Sequence, residues 1–251
     1  MPVLHWLQPL AALGLWRERT SMRIAVLCSP GSWYLRDLQR AGGDRYEVSA
    51  CAFGQLAARL GDVAGAAAGC AENDLARFDG LMVRSMPPGS LEQVVFRMDV
   101  LARVERSGLV VLNPPRSLEI AIDKYLALAR LGDAGLRIPP TVTCQGREAA
   151  MEAFRDLGRD VVIKPLFGSE GRGIARVNDE ALALRAFSML EQLGAVIYLQ
   201  RFLPHHGFDV RVLVVGDRVL AMRRRNPDDW RTNVSLGATT EPIDVDEGLI
   251  R

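Results

Sequence analysis

The sequence predicts an α/β unit followed by an α+β unit rich in antiparallel strands. Three observations carry this. Short apolar runs alternate with stretches of helical spacing up to residue 112, which is the pattern of a parallel sheet covered on both faces. Two consecutive prolines in Asn113-Pro-Pro-Arg116 then interrupt regular backbone hydrogen bonding. Beyond them several apolar runs are separated by turn residues rather than helices, which favours antiparallel pairing.

Residues 1–21 are expected to form an N-terminal extension, because Met22 directly precedes the strand-like Arg23-Ile-Ala-Val-Leu27 and suits a start position. The segment 2–16 is apolar, yet it contains Gln8 and Pro9, its charges Arg17, Glu18 and Arg19 follow the apolar part, and no small-residue cleavage site is visible. No export signal is read there, and a cytoplasmic location is expected.

The first domain is expected over 22–112. Strands are predicted at 22–28, 46–52, 80–83 and 110–112, and helices at 33–40, 55–60 and 91–106. In the last helix Leu91, Val94, Val95, Met98 and Leu101 recur near the 3.6-residue period. The Ala/Gly-rich piece 63–69 reads as a linker or weak helix. The second domain is expected over 113–251. It opens with a helix or helix pair at 117–131, stopped by Gly135, then a strand at 138–142, a helix at 148–157 and a strand at 161–164. A helix at 178–193 has Asn178 to cap its start and Glu180 in its first turn. Strands at 195–202, 209–215 and 218–224 follow, the last two joined by the hairpin dipeptide Gly216-Asp217. No internal repeat is present.

Composition narrows the function. With 49% apolar and 24% charged residues in 251, the chain is able to bury a core. Lys+Arg number 31 and Asp+Glu 30, a net charge of +1, so neither nucleic acid nor an anionic membrane is expected as a partner, and any anion must be bound by a local constellation. Cys28, Cys51, Cys70 and Cys144 lie far apart with no C-x-x-C pair; reduced, buried thiols are expected rather than a zinc knuckle or disulfide scaffold. No run of about 18 apolar residues exists to span a membrane.

The chemistry concentrates in the second domain. Phe167-Gly-Ser-Glu-Gly-Arg-Gly173 follows a strand ending in Lys164-Pro165, and Ile174-Ala-Arg-Val177 alternates like another strand, so the loop reads as a strand-to-strand flap and not a Walker loop. Gly168, Gly171 and Gly173, with Ser169 among them, let backbone N–H groups approach phosphate oxygens; a mobile glycine hairpin without a ligand fits the same residues. Lys164 argues for the anion, since a lysine late in an apolar strand is desolvated unless it meets one. Lys124, after Asp123, is placed either to reach a phosphate or on a solvated helix face. Gln200-Arg-Phe-Leu203 is either a hinge strand reading an adenine edge or an ordinary strand end. Asp209 and Arg211 alternate on one strand face. Together with Arg211, Arg223-Arg-Arg225 and Arg231-Thr-Asn233 concentrate positive charge for a polyanion, although three arginines also mark exposed strand ends. His205 and His206 are read as surface residues or substrate contacts.

These motifs add up to a resemblance. Val161-Val-Ile-Lys-Pro-Leu-Phe-Gly-Ser-Glu-Gly-Arg-Gly-Ile174, with Asp123-Lys124 before it and Tyr198-Leu-Gln-Arg-Phe202, Asp209-Val-Arg211, Val214-Val-Gly-Asp217, Met222-Arg-Arg224 and Trp230-Arg-Thr-Asn233 after it, resembles the RimK-like branch of the ATP-grasp ligases. The resemblance spans residues 23–251 and is specific from Asn113 onward. It implies an ATP-grasp fold preceded by a Rossmann-like parallel-sheet domain. It also implies an ATP-dependent carboxylate–amine ligase. In such enzymes the γ-phosphoryl group passes to a carboxylate, and an amine attacks the acyl phosphate with release of ADP and phosphate. The implied cofactors are ATP and Mg²⁺ (or Mn²⁺). The implied partners are ATP, an amino acid (glutamate) and a carboxylate acceptor of the ribosomal-protein-tail or pterin/deazaflavin type; a homo-oligomer is left open.

Residue by residue, the resemblance assigns Lys124 and Lys164 to phosphates, Gln200 and Arg201 to the adenine-side strand, Asp209 to the ribose side, and Arg231, Thr232 and Asn233 to a nucleotide-binding tripeptide. Arg211 and Arg223 are assigned to phosphoryl or carboxylate oxygens as catalytic residues. The family's magnesium ligands are an Asp, then a Glu and an Asn in a Glu-x-Asn-x-x-Pro-Gly segment, and the sequence stops at Arg251 before any such segment. No metal ligand is therefore assigned, Glu241, Asp244, Asp246 and Glu247 being read as loop residues, and the ATP-grasp part is expected to be incomplete at its C-terminus. The alternative function is a catalytically incomplete nucleotide-binding module. A two-lobed binding protein of periplasmic type lacks an export signal and leaves the flap unexplained.

Overall fold

The computed structural model describes residues 21–29, 31–61, 64–65, 67–168 and 170–244. The extension expected at 1–21 lies almost wholly outside them, and so does Ser169. By internal packing the chain divides between Ile122 and Asp123.

In the first unit β1 (Met22–Leu27), α1 (Trp33–Gly42), β2 (Tyr46–Cys51), β3 (Leu56–Ala58), β4 (Ala68–Cys70), β5 (Asn73–Asp74), β6 (Gly80–Val83), α2 (Leu91–Arg106), β7 (Val110–Leu112) and α3 (Pro115–Ile122) follow in order. The expected parallel sheet is present, with strand order β2-β1-β6-β7 and every pair parallel. Because β1 lies inside the sheet, residues 24–27 pack on both faces: Ala25 and Leu27 join the larger core with Phe53, Leu75, Leu81 and Leu101, while Val26 and Cys28 pack with Leu35 of α1. Ser90 and Gln93 form a reciprocal capping box that fixes the start of α2. The expected boundary at Asn113 precedes the observed division because Leu118 of α3 packs against the larger core.

Two local expectations fail here. The helix predicted at 55–60 is the short strand β3, which pairs antiparallel with β4, because Leu56 is buried and Ala57 exposed, a two-residue alternation that three residues are too few to distinguish by period. The linker read at 63–69 runs into β4, whose three small residues are all buried in a sheet ordered β3-β4-β5.

The second unit contains α4 (Lys124–Asp133), β8 (Thr141–Cys144), α5 (Arg147–Asp156), β9 (Val161–Lys164), β10 (Ala175–Val177), α6 (Glu180–Gln192), β11 (Ile197–Arg201), β12 (Phe208–Val215), β13 (Arg218–Arg225) and β14 (Thr239–Ile243). The 117–131 region is a pair of helices, α3 and α4, with Asp123 capping the second through Leu126 N. Asp179, not Asn178, caps α6: its carboxylate accepts from Leu182 N at 2.7 Å, since the helix begins at Glu180. An antiparallel sheet ordered β10-β9-β11-β8 carries α5 and α6 on one face, where Phe154 and Phe187 meet edge-on at 6.5 Å with Val161, Ile163, Ile197 and Leu199. A separate sheet ordered β12-β13-β14 holds the Gly216-Asp217 hairpin. Among the described residues no helix is long and apolar enough to cross a membrane.

Candidate functional site

The two faces of the β9–β11 sheet differ completely. Strand alternation turns Val161 and Ile163 into the core, so Val162 and Lys164 point to the opposite side. Cross-strand partners share a face, and the register Lys164↔Tyr198, Gln200↔Val162, Gln200↔Thr141 and Tyr198↔Thr143 gathers Lys164, Tyr198, Gln200, Thr141 and Thr143 on that side. Lys164 donates to Gln200 Oε1 at 2.5 Å, and the Gln200 amide donates to Thr141 Oγ1 at 2.9 Å. The Thr143 hydroxyl is buried with no protein partner. Lys124, the first residue of α4, donates to the carbonyl of Gly168 at 2.8 Å.

The electrostatics of this face favour an anion. Burial, and then the nearby Lys124 charge, pushes the Lys164 ammonium below the usual lysine range. Burial also lowers Lys124, with Asp123 pulling it partly back. Burial raises the Tyr198 phenol, while a hydrogen bond with Thr141 counters it. Among the described residues neither lysine forms a carboxylate ion pair. Two half-buried like charges outside any ion pair are costly, and an anion between them relieves the cost.

Residues 165–174 connect the antiparallel pair β9–β10, so the glycine loop is the strand-to-strand flap that the sequence predicts. Gly171 sits at φ +76°, and a Cβ there would lie 2.5 Å from Asn233 Oδ1; one on Gly173 would meet Pro165 Cγ at 2.8 Å. Ser235 donates to the carbonyl of Glu170 at 2.9 Å. The flap tip is thereby packed against the Arg-Thr-Asn segment.

The β12–β14 sheet separates residues that the sequence groups. Asp209↔Arg224 and Arg211↔Met222 lie on one face, whereas Val210↔Arg223 and Arg223↔Glu241 lie on the other. Arg224 forks onto Asp209, Nε to Oδ1 at 2.8 Å and Nη2 to Oδ2. Burial alone would raise the Asp209 carboxyl, but hydrogen bonds from Arg224 and Thr232 and the charges of Arg224 and Arg211 hold it below the usual range. Arg223 instead bonds Glu241 at 3.0 Å and lies over the Phe208 ring. Arg211 and Arg223 therefore cannot grip one group from the same side of this sheet.

Other assigned residues are distributed as follows. Arg201 turns away from the lysine face and donates to the Leu157 carbonyl at 3.0 Å. Arg231 forks onto Asp229, at 2.9 and 2.6 Å, and Thr232 is buried. Sequence reasoning missed Thr141, Thr143 and Asp229; the first two were findable as hydroxyls facing Lys164 once the strand register is known. It also missed a cavity of about 370 Å³ lined by Arg176, Phe202, His205, Asn226, Asp229 and Trp230 among others. There Arg176 stands 3.5 Å over the Phe202 ring, and Trp230 meets Phe202 edge-on at 5.7 Å.

A family model described as the RimK-like ATP-grasp domain matches residues 121–250. The chain belongs to the RimK-like ATP-grasp family. It is 35% identical over 181 residues to the tetrahydromethanopterin:alpha-L-glutamate ligase of Methanosarcina acetivorans, covering 66% of this chain and 55% of that protein. To the glutamate–LysW ligase ArgX of Sulfurisphaera tokodaii it is 29% identical over 181 residues, covering 70% and 62%. The chain thus spans 55 to 62% of the length of these curated relatives. Among solved structures, the ATP-grasp ligase PsnB with its minimal precursor superposes with a TM-score of 0.62 at 26% identity, covering 91% of this chain and 79% of that one. PsnB has also been solved with Mg and ADP. The ATP-grasp fold expected from the motifs is therefore present.

The lysine face of this RimK-like domain fits a polyphosphate, because it offers two ammonium groups held only by neutral acceptors among the described residues, a buried hydroxyl without a protein partner and a glycine flap. The described carboxylates do not fit a metal: Asp209, Asp229 and Glu241 are each committed to an arginine, and no group of three or more His, Cys, Asp or Glu is placed to hold an ion among the described residues.

Proposed function

We propose that the chain binds ATP on the Lys124–Lys164 face and acts as an ATP-dependent carboxylate–amine ligase, adding an amino acid, glutamate, to a carboxylate acceptor. The observation carrying this reading is the pair of half-buried lysines, without carboxylate partners among the described residues, beneath the glycine flap. Membership of the RimK-like family and the glutamate ligases among its relatives support the reaction class.

In this reading Lys164 and Lys124 neutralise phosphate oxygens and hold them in line, which is most of what phosphoryl transfer asks of a protein. The backbone of Gly168, Gly171 and Gly173 approaches the same oxygens. Gln200 holds the Lys164 ammonium in place, and Arg211, on the Asp209 face, is assigned to an acidic group of the substrate. An acceptor carboxylate oxygen attacks the γ-phosphorus, the bond to the ADP oxygen breaks, and an amine then displaces phosphate from the acyl carbon with loss of a proton. Mg²⁺, as in the PsnB complex with Mg and ADP, would supply further charge neutralisation, and no described residue is assigned to it.

The test is calorimetric titration of ATP into the chain, followed by an ADP-release assay with Mg²⁺, glutamate and a panel of acidic acceptors. ATP binding that Lys164→Ala weakens, with acceptor-dependent ADP release, is expected; absence of ATP binding would overturn the assignment. The described carboxylates' commitment to arginines favours a second reading, nucleotide binding without turnover. ATP affinity with no ADP release would select it.

A further inference from the structure

The carboxyl ends of β1 and β6 adjoin at a point where the chain reverses its direction across the sheet, running from β1 out to β2 and returning to β6 on the other side. Open α/β sheets bind ligands in the crevice at such a switch point. Two arginines stand at this rim, and the ATP reading uses neither. Arg97 of α2 is 6% exposed, the only charged side chain among the buried described residues. It has no acidic partner among them: its Nη1 donates to the Pro87 carbonyl at 2.8 Å, and its guanidinium lies 5.5 Å from the Phe53 ring centroid. Arg84, the residue after β6, is exposed and stacks 3.8 Å over the Tyr34 ring, next to Trp33, which is 59% exposed. Arg84 too lacks a carboxylate among the described residues. The loop joining them crowds the guanidinium, since a Cβ on Gly89 would sit 3.0 Å from Arg97 Nη1.

A guanidinium offers five donors, and burying one costs free energy unless they are matched. The Pro87 carbonyl takes one of Arg97's, and none of its nitrogens is both buried and without an acceptor among the described residues, so the remaining donors open onto solvent, where a ligand can meet them. A brace for the loop needs one such bond and no charge. We infer that this rim is a carboxylate-binding subsite in which Arg97, beneath the 84–89 loop, and Arg84, at its mouth, hold an acidic group of the acceptor. That the ligand is the acceptor rests on the ligase reading; that it is a carboxylate rests on the two arginines.

The test uses the whole chain and two peptides, tetra-L-glutamate and tetra-L-glutamine, titrated by calorimetry, with ATP titrated separately. Arg84→Gln, a surface change that leaves folding intact, and Arg97→Lys, which keeps charge and stem but loses the planar fork, should each weaken tetraglutamate binding roughly tenfold or more and leave ATP affinity unchanged. Tetraglutamine should not bind. Wild-type chain that ignores tetraglutamate, equal binding of both peptides, or an Arg84→Gln chain with wild-type affinity would each overturn the inference. If Arg97→Lys lowers thermal stability without touching peptide affinity, Arg97 is a loop brace and the inference fails for it. Loss of ATP binding with tetraglutamate binding intact would instead defeat the nucleotide site alone, so the two failures are separable.

Discussion

Replacing Lys164 by methionine keeps the stem and removes the charge, and the structure gives different sizes for its effects on folding and on binding. Without ligand, the ammonium is half-buried beside Lys124 and rests on one neutral acceptor, Gln200 Oε1. Its removal ends the repulsion and the desolvation but strands that amide oxygen. Stranding that oxygen costs on the order of 1 kcal/mol, and the relieved repulsion and desolvation act in the opposite direction, so unfolding free energy should fall by no more than about that amount. Binding has no such compensation: losing a charge-assisted hydrogen bond to phosphate removes about 1.5–3 kcal/mol, or roughly 10- to 150-fold in affinity. Calorimetry with ATP and with adenosine separates the phosphate contribution from the base, and adenosine should be unaffected.

The pH dependence follows from the same pair. Both lysines have lowered values in the free fold, and a bound polyphosphate raises them. Between the two values binding takes up protons, so affinity falls as pH climbs through that alkaline window. The lysines' contribution to folding stability has the reverse slope, rising with pH from their lowered values to the ordinary lysine range. ATP affinity within twofold of wild type for Lys164→Met would remove Lys164 from any phosphate site.

Gly171→Ala places a methyl 2.5 Å from Asn233 Oδ1 at a φ of +76°; it should cost about 1–2 kcal/mol and weaken ATP binding, whereas Gly168→Ala meets no neighbour and carries only the backbone strain of its φ of +110°. Wild-type stability and ATP affinity for Gly171→Ala would contradict the packing of the flap tip. Asp209→Asn leaves the Arg224 guanidinium, 11% exposed, without its counterion and should cost about 1–3 kcal/mol. Since the Asp209 carboxyl is held low, its stabilisation is complete above the ordinary carboxylate value and disappears as pH falls through the lowered one. Urea unfolding across an acid series should therefore show a shallower pH slope for the variant. Phe154→Ala, at a position with 0% exposure, should lose about 3–5 kcal/mol, read from the denaturation midpoint. Burial first, and then Cys70, pushes the Cys51 thiol up to about 12, so native protein at pH 8 should leave it unalkylated by iodoacetamide.

Much of the fold was legible because its signals are local. Alternating runs gave the parallel sheet, Gly216-Asp217 gave the hairpin, and the strand-like Ile174-Ala-Arg-Val177 turned a glycine loop into a flap. The failures have physical causes of their own. Leu56–Ala58 is too short for period to separate helix from strand. Asn178 and Asp179 are both good caps, and only the helix start at Glu180 chooses between them. The site was legible as a set of residues and not as a surface. Lys164 and Gln200 are 36 positions apart, and their hydrogen bond depends on antiparallel register. Arg211 and Arg223 read as one cluster of charge, but an antiparallel pair places cross-strand partners on a common face, and Arg223 faces Val210 rather than Arg211. Register carries that information, and a single sequence does not display it.

The contact of Ser235 with Glu170, and of Gly171 with Asn233, ties together two stretches of chain more than sixty residues apart. A single hydroxyl–carbonyl bond is a light fastening, worth about 1 kcal/mol, strong enough to set a resting position and weak enough for thermal motion to undo. Displacing the hairpin would take a neighbour from the 233–236 backbone as well, so a guest that held it away would register at both places.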